Sequence, residues 1–183
     1  MYTHLIQSIR TLAPFTDEEA KELTDRMEVV ELNKGELLLD IGQVCQKFCF
    51  LEIGSLRHYY LDEELDEVII NLHTQHQWVL DSVSFTAQKP ATGKIEAFTD
   101  CTLYSLSIHH LHHLIEQSQR YFALGKILEK GAPPSPNKST PEQKYTDLLE
   151  NQPEIIQTFP LKYIASYLGM TPETLSRVRS RIS

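Results

Sequence analysis

The C-terminal residues carry polar side chains of the types that recognise DNA. Arg177 can donate two hydrogen bonds to O6 and N7 of guanine, and Glu173 can accept one from N4 of cytosine. Hydroxyl groups and further cations at nearby positions are suited to phosphate oxygens. The candidate DNA-binding residues of this segment are Lys162, Thr171, Glu173, Thr174, Ser176, Arg177 and Arg181, with phosphate contacts expected for Lys162, Thr171 and Arg181.

Two short helices must position these side chains, and residues 160–182 have the pattern of such a pair. Gly169 allows the positive φ of a tight turn, and Thr171 followed by Pro172 is typical of the N-cap and first residue of a helix. The expected shared core is Ile164, the small Ala165, Leu168, Met170, Leu175, Val178 and Ile182. The pattern predicts a helix-turn-helix whose second helix faces the major groove. A solvated helical hairpin is the alternative.

Charge is distributed unevenly along the 183 residues. The whole chain has a net charge of -8, but from Phe159 onward four basic residues and one acidic residue give +3, so the preceding part carries about -11. The basic charge therefore lies where contact with DNA requires it.

The N-terminal part alternates apolar and polar residues with a period of two. A first helix is predicted over residues 16–27, with Thr16 and Glu19 as a capping box. Strands are predicted over residues 29–32, 36–40, 48–53, 55–61, 67–74, 94–98 and 102–108. Many short strands separated by turn residues indicate an antiparallel β-roll.

A second helical region divides the chain. Residues 109–129 are predicted to be one amphipathic helix, and the proline-rich residues 131–141 cannot continue it. Thr140 and Pro141 begin a further helix, and another starts near Pro153. We therefore predict an α+β protein with a β-roll and connecting helix at 1–130, a linker at 131–141, and a helical helix-turn-helix domain at 142–183.

This order resembles the Crp/Fnr family of bacterial transcription regulators, whose sensor is a cyclic nucleotide-binding-like domain of the jelly-roll type. The resemblance covers nearly the whole chain. It rests on residues 34–42, 50–60, 95–97, 164–169 and 175–179, of which the last two segments are the most specific. It implies a homodimeric regulator that binds double-stranded DNA and responds to an effector.

The sequence departs from relatives that bind cyclic AMP. Their Arg-Ser and Gly-Glu pairs fall, by ungapped alignment, on Ala91-Thr92 and Leu80-Asp81, so the arginine that binds the phosphate is missing. Lys89 or Lys94 could replace its charge only as a point charge. We therefore expect the effector to be an unidentified small molecule other than cyclic AMP. Asp81, Ser82 and Thr92 are the candidate ligand-binding residues. The alternative function is a ligand-binding or protein-interaction β-roll with a vestigial helix-turn-helix.

No catalytic, metal or cofactor site is predicted. His109 and His113 have metal-ligand spacing on a helix but no nearby third ligand, so a structural or solvated role is favoured, and His73 with His76 is a weaker pair still. Cys45, Cys49 and Cys101 are expected to be buried, reduced side chains. The full pattern of a cupin-like enzyme, His-x-His with a following Glu and a later His, is absent, as are nucleophile and phosphate-loop motifs.

The expected location is the cytoplasm. No apolar run approaches the length needed to span a bilayer, and the first ten residues do not resemble a signal peptide.

Overall fold

The computed structural model describes residues 2–130 and 140–182. Residues 131–139 of the predicted linker lie outside the described residues. In these residues two four-stranded antiparallel sheets pack face to face, with strand orders β1-β8-β3-β6 and β2-β7-β4-β5. The strands are β1 Glu28–Leu32, β2 Leu37–Leu39, β3 Lys47–Ile53, β4 Leu56–Leu61, β5 Glu67–His73, β6 Gln77–Val79, β7 Lys94–Ala97 and β8 Cys101–Ser107. The predicted antiparallel β-roll is confirmed. Sequence analysis missed only the short β6.

Helices flank the roll and follow it. They are α1 Thr3–Arg10, α2 Asp17–Thr24, α3 Ser82–Ala87, α4 Ile108–Gln117, a 3-10 helix Gln119–Gly125, α5 Lys126–Lys130, α6 Pro141–Asn151, α7 Pro153–Thr158, α8 Leu161–Tyr167 and α9 Pro172–Ile182. The capping box of Thr16 and Glu19 at α2 is confirmed, and Thr140 forms another with Gln143 at α6. Sequence analysis did not predict α1 and α3.

The prediction of one helix over residues 109–129 is wrong. Ser118 has an extended backbone, with φ -149° and ψ 125°, and its hydroxyl accepts a hydrogen bond from the amide of Arg120. The same hydroxyl contacts Glu19, and the Tyr121 hydroxyl donates to the Glu19 carbonyl at 2.9 Å. These contacts to α2 end α4 and fold the following apolar residues back into the roll. Leu114, Tyr121, Leu124 and Ile127 are all buried in its core.

A second hydrophobic core joins the roll to the C-terminal helices. Tyr59, Ile69 and Leu72 lie on the outer face of the β4 and β5 pair, and they pack with residues of α6 to α9. Because β4 and β5 carry apolar side chains on both faces, the outer face needs its own cover. The helices supply that cover.

Candidate nucleic-acid interface and effector cavity

The two helices predicted as a helix-turn-helix are present as α8 and α9. Gly169 adopts φ +69° between them, and the Thr171 hydroxyl accepts from the amide of Thr174 at 3.2 Å, which caps α9. Leu175 and Val178 are buried, as predicted. The expectation that Ile182 faces inward is wrong, because its side chain is 41% exposed in the last turn of α9.

The opposite side of α9 is open to solvent. Glu173, Ser176 and Arg177 are exposed, as are Lys162 and Thr171, while Thr174 is half-buried. The predicted DNA-binding residues are thus accessible or half-buried, and Glu173 and Arg177 lie one helical turn apart on α9.

Three of these side chains already have partners. Arg181 forms an ion pair with Glu142 of α6, at 2.9 Å between Nη1 and Oε1. The Lys162 ammonium lies 4.7 Å from the centre of the Tyr163 ring. The backbone amide of Glu173 and then the Thr171 hydroxyl lower the pKa of the Glu173 carboxyl. Glu173 is therefore ionised at neutral pH and can act as a hydrogen-bond acceptor.

The predicted ligand-binding residues lie at and near α3. Asp81 caps this helix by accepting from the amide of Ser84 at 2.9 Å, and its Oδ2 is 3.6 Å from Nε2 of His58. The contact with His58 lowers the pKa of Asp81, so the carboxylate is charged although it is buried. Ser82 is the half-buried first residue of α3, and Thr92 is exposed before β7.

A cavity of about 370 Å³ lies between the two sheets, next to this helix. That volume is within the range of small-molecule sites. It is lined by Val30, Leu32, Leu37, Leu38, Leu39, Gln43, Val44, Cys45, Gln46, Lys47, Cys49, Val79, Leu80, Ile95 and Ser105. The lining contains the two residues before Asp81, but not Asp81, Ser82 or Thr92 themselves. Sequence analysis missed the cavity, because its walls come from distant strands.

Most residues that line the cavity have apolar side chains, but Gln43, Gln46, Lys47 and Ser105 are polar. Its one charged lining residue among those described is Lys47, whose Nζ forms an ion pair with Glu28 at 2.9 Å. Burial raises the pKa of the Cys49 thiol to about 12 and also raises that of Cys45, so both thiols are protonated. The predicted burial of the cysteines is confirmed. The wall offers little to bind an anion.

Arg57 connects the roll to the helix-turn-helix. Its guanidinium donates two hydrogen bonds to Glu96, at 3.0 and 3.1 Å, pairs with Glu67, and donates to the Tyr163 hydroxyl at 2.9 Å. The amide of Ile69, in the edge strand β5, donates to the Ser166 hydroxyl at 2.9 Å. Helix α8 therefore covers an edge that would otherwise be open to pairing.

The cavity and the interface share β7. Ile95 lines the cavity, and the next residue, Glu96, binds Arg57 on the outer face. Successive side chains of a strand point to opposite faces of the sheet. Strand β7 therefore has one side chain on the cavity wall and the next bound to Arg57, which contacts Tyr163 of α8.

Comparison with known proteins agrees with this architecture. Residues 29–118 match the cyclic nucleotide-binding domain family. FixK2 from Bradyrhizobium japonicum has a TM-score of 0.66 and 18% identity, covering 85% of this chain and 84% of that one. DNR from Pseudomonas aeruginosa has a TM-score of 0.58 and 19% identity, covering 100% of this chain and 87% of that one. The catabolite activator protein from Thermus thermophilus has a TM-score of 0.57 and 14% identity, covering 93% of this chain and 85% of that one.

A search of curated proteins by sequence found no match. None of the helices in residues 2–130 and 140–182 is long and apolar enough to cross a membrane.

Proposed function

We propose that this chain, whose residues 29–118 match the cyclic nucleotide-binding domain family and whose fold is that of Crp/Fnr-like transcription regulators, is a cytoplasmic DNA-binding regulator controlled by an apolar effector. The observation that carries the proposal is the arrangement of α9. Its apolar side is buried, its polar side is exposed, and the hydrogen bonds to β4 and β5 come from Tyr163 and Ser166 of α8.

On DNA, α9 would enter the major groove. Arg177 is then the guanine contact and Glu173 the cytosine contact, with Thr174 and Ser176 beside them. Lys162 and Thr171, at the starts of α8 and α9, would bind phosphates. Arg181 would also bind a phosphate, but its guanidinium must first leave Glu142. The charge of Arg181 is then paired both in free protein and on DNA.

The DNA-bound form is proposed to be a homodimer. Two recognition helices about 34 Å apart match successive major grooves of a palindromic site. The described residues contain no long connecting helix of the kind that forms the dimer seam in the family, because α4 ends at Ser118.

The proposed effector is a small apolar molecule in the cavity between the sheets, not cyclic AMP. A phosphate needs an accessible cation or free amides, and the N-terminus of α3 is already capped by the ionised Asp81. Lys94 is paired with Asp40 at 3.2 Å, just as Lys47 is paired with Glu28. An uncharged ligand would instead pack against the apolar side chains that line the cavity.

Coupling is proposed to run through β7. An occupant that displaces Ile95 would move Glu96, and with it the guanidinium of Arg57 that contacts Tyr163. Effector binding would thus shift the population in which α8 is docked on the roll, and with it the placement of α9.

The test is selection of binding sites from random DNA duplexes at two salt concentrations. Wild type should enrich a palindrome, and Arg177→Ala should lose about 1–3 kcal/mol of discrimination at one base pair. Arg179→Ala is the matched control: it removes the same charge from α9 beside the buried Val178 and should lower affinity equally for all sequences.

If wild type enriches no sequence and its affinity only falls with salt, the regulator proposal fails. The β-roll would then be a ligand-binding or protein-interaction module with a vestigial helix-turn-helix.

A further inference from the structure

Three potential metal ligands meet on the surface of the roll, away from the cavity and the DNA-binding face. They are His4 of α1, Glu52 of β3 and His76 in the turn between β5 and β6. One ligand atom from each lies within 4.8 Å of the others. The three residues come from separate elements, and no sequence motif joins them.

The backbone holds two of these side chains in place. The pairing of β3 with β8 shifts register between Leu51 and Ile53, so that Glu52 is the extra residue of a bulge, a feature that redirects a side chain. His76 has φ +65°, unusual for a residue other than glycine, and its amide donates to the Leu51 carbonyl at 2.6 Å.

The side chains converge closely. Nδ1 of His4 is 2.8 Å from Oε1 of Glu52. The rings of His4 and His76 are stacked, with centroids 3.8 Å apart and an interplanar angle of 28°. In a tetrahedral zinc site with bonds of 2.0–2.1 Å the ligand atoms are about 3.3 Å apart, close to the spacing in this cluster. The two stacked rings must turn out of their parallel arrangement for both nitrogens to point at one ion.

One oxygen of the cluster lacks a partner. Oε2 of Glu52 is buried and has no hydrogen-bond partner among the described residues, and the side chain is only 14% exposed. Leaving a carboxylate oxygen buried without a donor or cation is unfavourable. A bound cation would supply the missing partner.

We propose that His4, Glu52 and His76 bind a divalent first-row transition metal, with zinc as the best-fitting ion. Two imidazole nitrogens select against magnesium and calcium, which prefer oxygen ligands. Three protein ligands leave a fourth position for water or an exogenous ligand. The metal would also link α1 to β3 and to the β5–β6 turn, and so clamp the N-terminal helix onto the roll.

The chain offers a matched control. His109 and His113 have the spacing of two ligands on one face of α4, but both are exposed, and the acidic group near them is the exposed Glu116, with Oε2 3.6 Å from Nδ1 of His113. This pair tests whether surface histidines alone account for metal binding.

The experiment is calorimetric titration of zinc into protein freed of metal and carrying no histidine tag. Wild type should bind one equivalent and gain thermal stability. Glu52→Gln and His76→Asn should each lose affinity by about tenfold or more and lose the zinc-dependent rise in Tm. His109→Ala/His113→Ala should match wild type. Asparagine is chosen at position 76 because it tolerates positive φ.

Cobalt gives a second measurement that does not depend on stability. Wild-type protein should give visible absorption typical of tetrahedral Co²⁺ with nitrogen and oxygen ligands, and the Glu52→Gln protein should not. The proposal is overturned if wild type binds no zinc, if the Glu52 and His76 variants bind as wild type does, or if the loss occurs only in the His109 and His113 variant.

Discussion

His73 is buried on the inner side of β5, near His58 of β4, and its burial controls its ionisation. His73 is 3% exposed, and burial, with a smaller contribution from His58, lowers its pKa to about 3. His73 is therefore neutral in the folded protein at neutral pH. The alternation in β5 predicted a strand, but the sequence could not predict that this histidine would lie in a dry interior.

The shift at His73 predicts how stability depends on pH. In the unfolded chain a histidine titrates near pH 6.5. Above that pH both states are neutral at this site. As the pH falls from about 6.5 toward 3, only the unfolded chain takes up the proton, so stability is lost at up to about 1.4 kcal/mol per pH unit. In His73→Asn the free energy of unfolding should therefore depend less steeply on pH, by the amount that the uptake of one proton contributes.

The measurement is urea unfolding between pH 7 and pH 5. Asp81, whose pKa is also lowered, loses its contribution only at lower pH and does not interfere there. The exposed His112 supplies the control, since His112→Asn should leave the slope unchanged. Equal slopes for wild type and His73→Asn would contradict the assignment.

At the scale of elements, the contact between α8 and β5 is the feature that links the two parts of the protein. The edge strand β5 is covered by α8, and the amide of the buried Ile69 has the Ser166 hydroxyl as its acceptor. The helix-turn-helix pattern of residues 160–182 predicted both α8 and α9. It did not predict what α8 would pack against.

Ser166→Ala should weaken this docking. With α8 docked, the Ile69 amide would be buried without an acceptor, at a cost of about 1–3 kcal/mol. Hydrogen exchange at Ile69 should therefore speed up, by roughly tenfold for about 1.4 kcal/mol. Exchange is followed by mass spectrometry of β5 peptides, with Ser176→Ala on the exposed side of α9 as the control. Unchanged exchange in Ser166→Ala would show that the hydrogen bond does not hold α8.

At the scale of the whole molecule, the cavity between the sheets and the interface with α8 lie on opposite sides of β7. On the sheet of β1, β8, β3 and β6 the cavity wall is formed in part by three neighbouring side chains that are small or branched, Cys49, Val79 and Ser105. Its occupation is the step on which the proposed regulation depends.

The uncharged fluorescent probe N-phenyl-1-naphthylamine should bind in this cavity and become brighter. Val79→Phe should reduce that binding because the larger side chain fills the space, at a stability cost of about 1–3 kcal/mol. Val29→Phe makes the same change at a residue of β1 that is 45% exposed, and it should bind the probe as wild type does.

The same titration tests the nature of the effector. An excess of cyclic AMP should not displace the probe, since the cavity offers no free cation among its described lining residues. Displacement by cyclic AMP, or normal binding to Val79→Phe, would contradict an apolar effector site.

The sequence by itself determined the local parts of this protein. The caps at Thr16, Thr140 and Thr171, the turn at Gly169 and the period-two strands follow from preferences of residues within a few positions of one another. The same local reasoning failed at Ser118, where contacts with α2 overrode an apolar periodicity that favoured a continuous helix.

Tertiary structure alone decided where these parts meet. The cavity, the docking of α8 on β5 and the cluster of His4, Glu52 and His76 all join residues far apart in the chain. Such contacts leave no periodic signal, because they depend on sheet order, on a bulge at Glu52 and on how the two sheets pack. The helix-turn-helix was therefore predictable from sequence, whereas its connection to the roll and the proposed metal site were not.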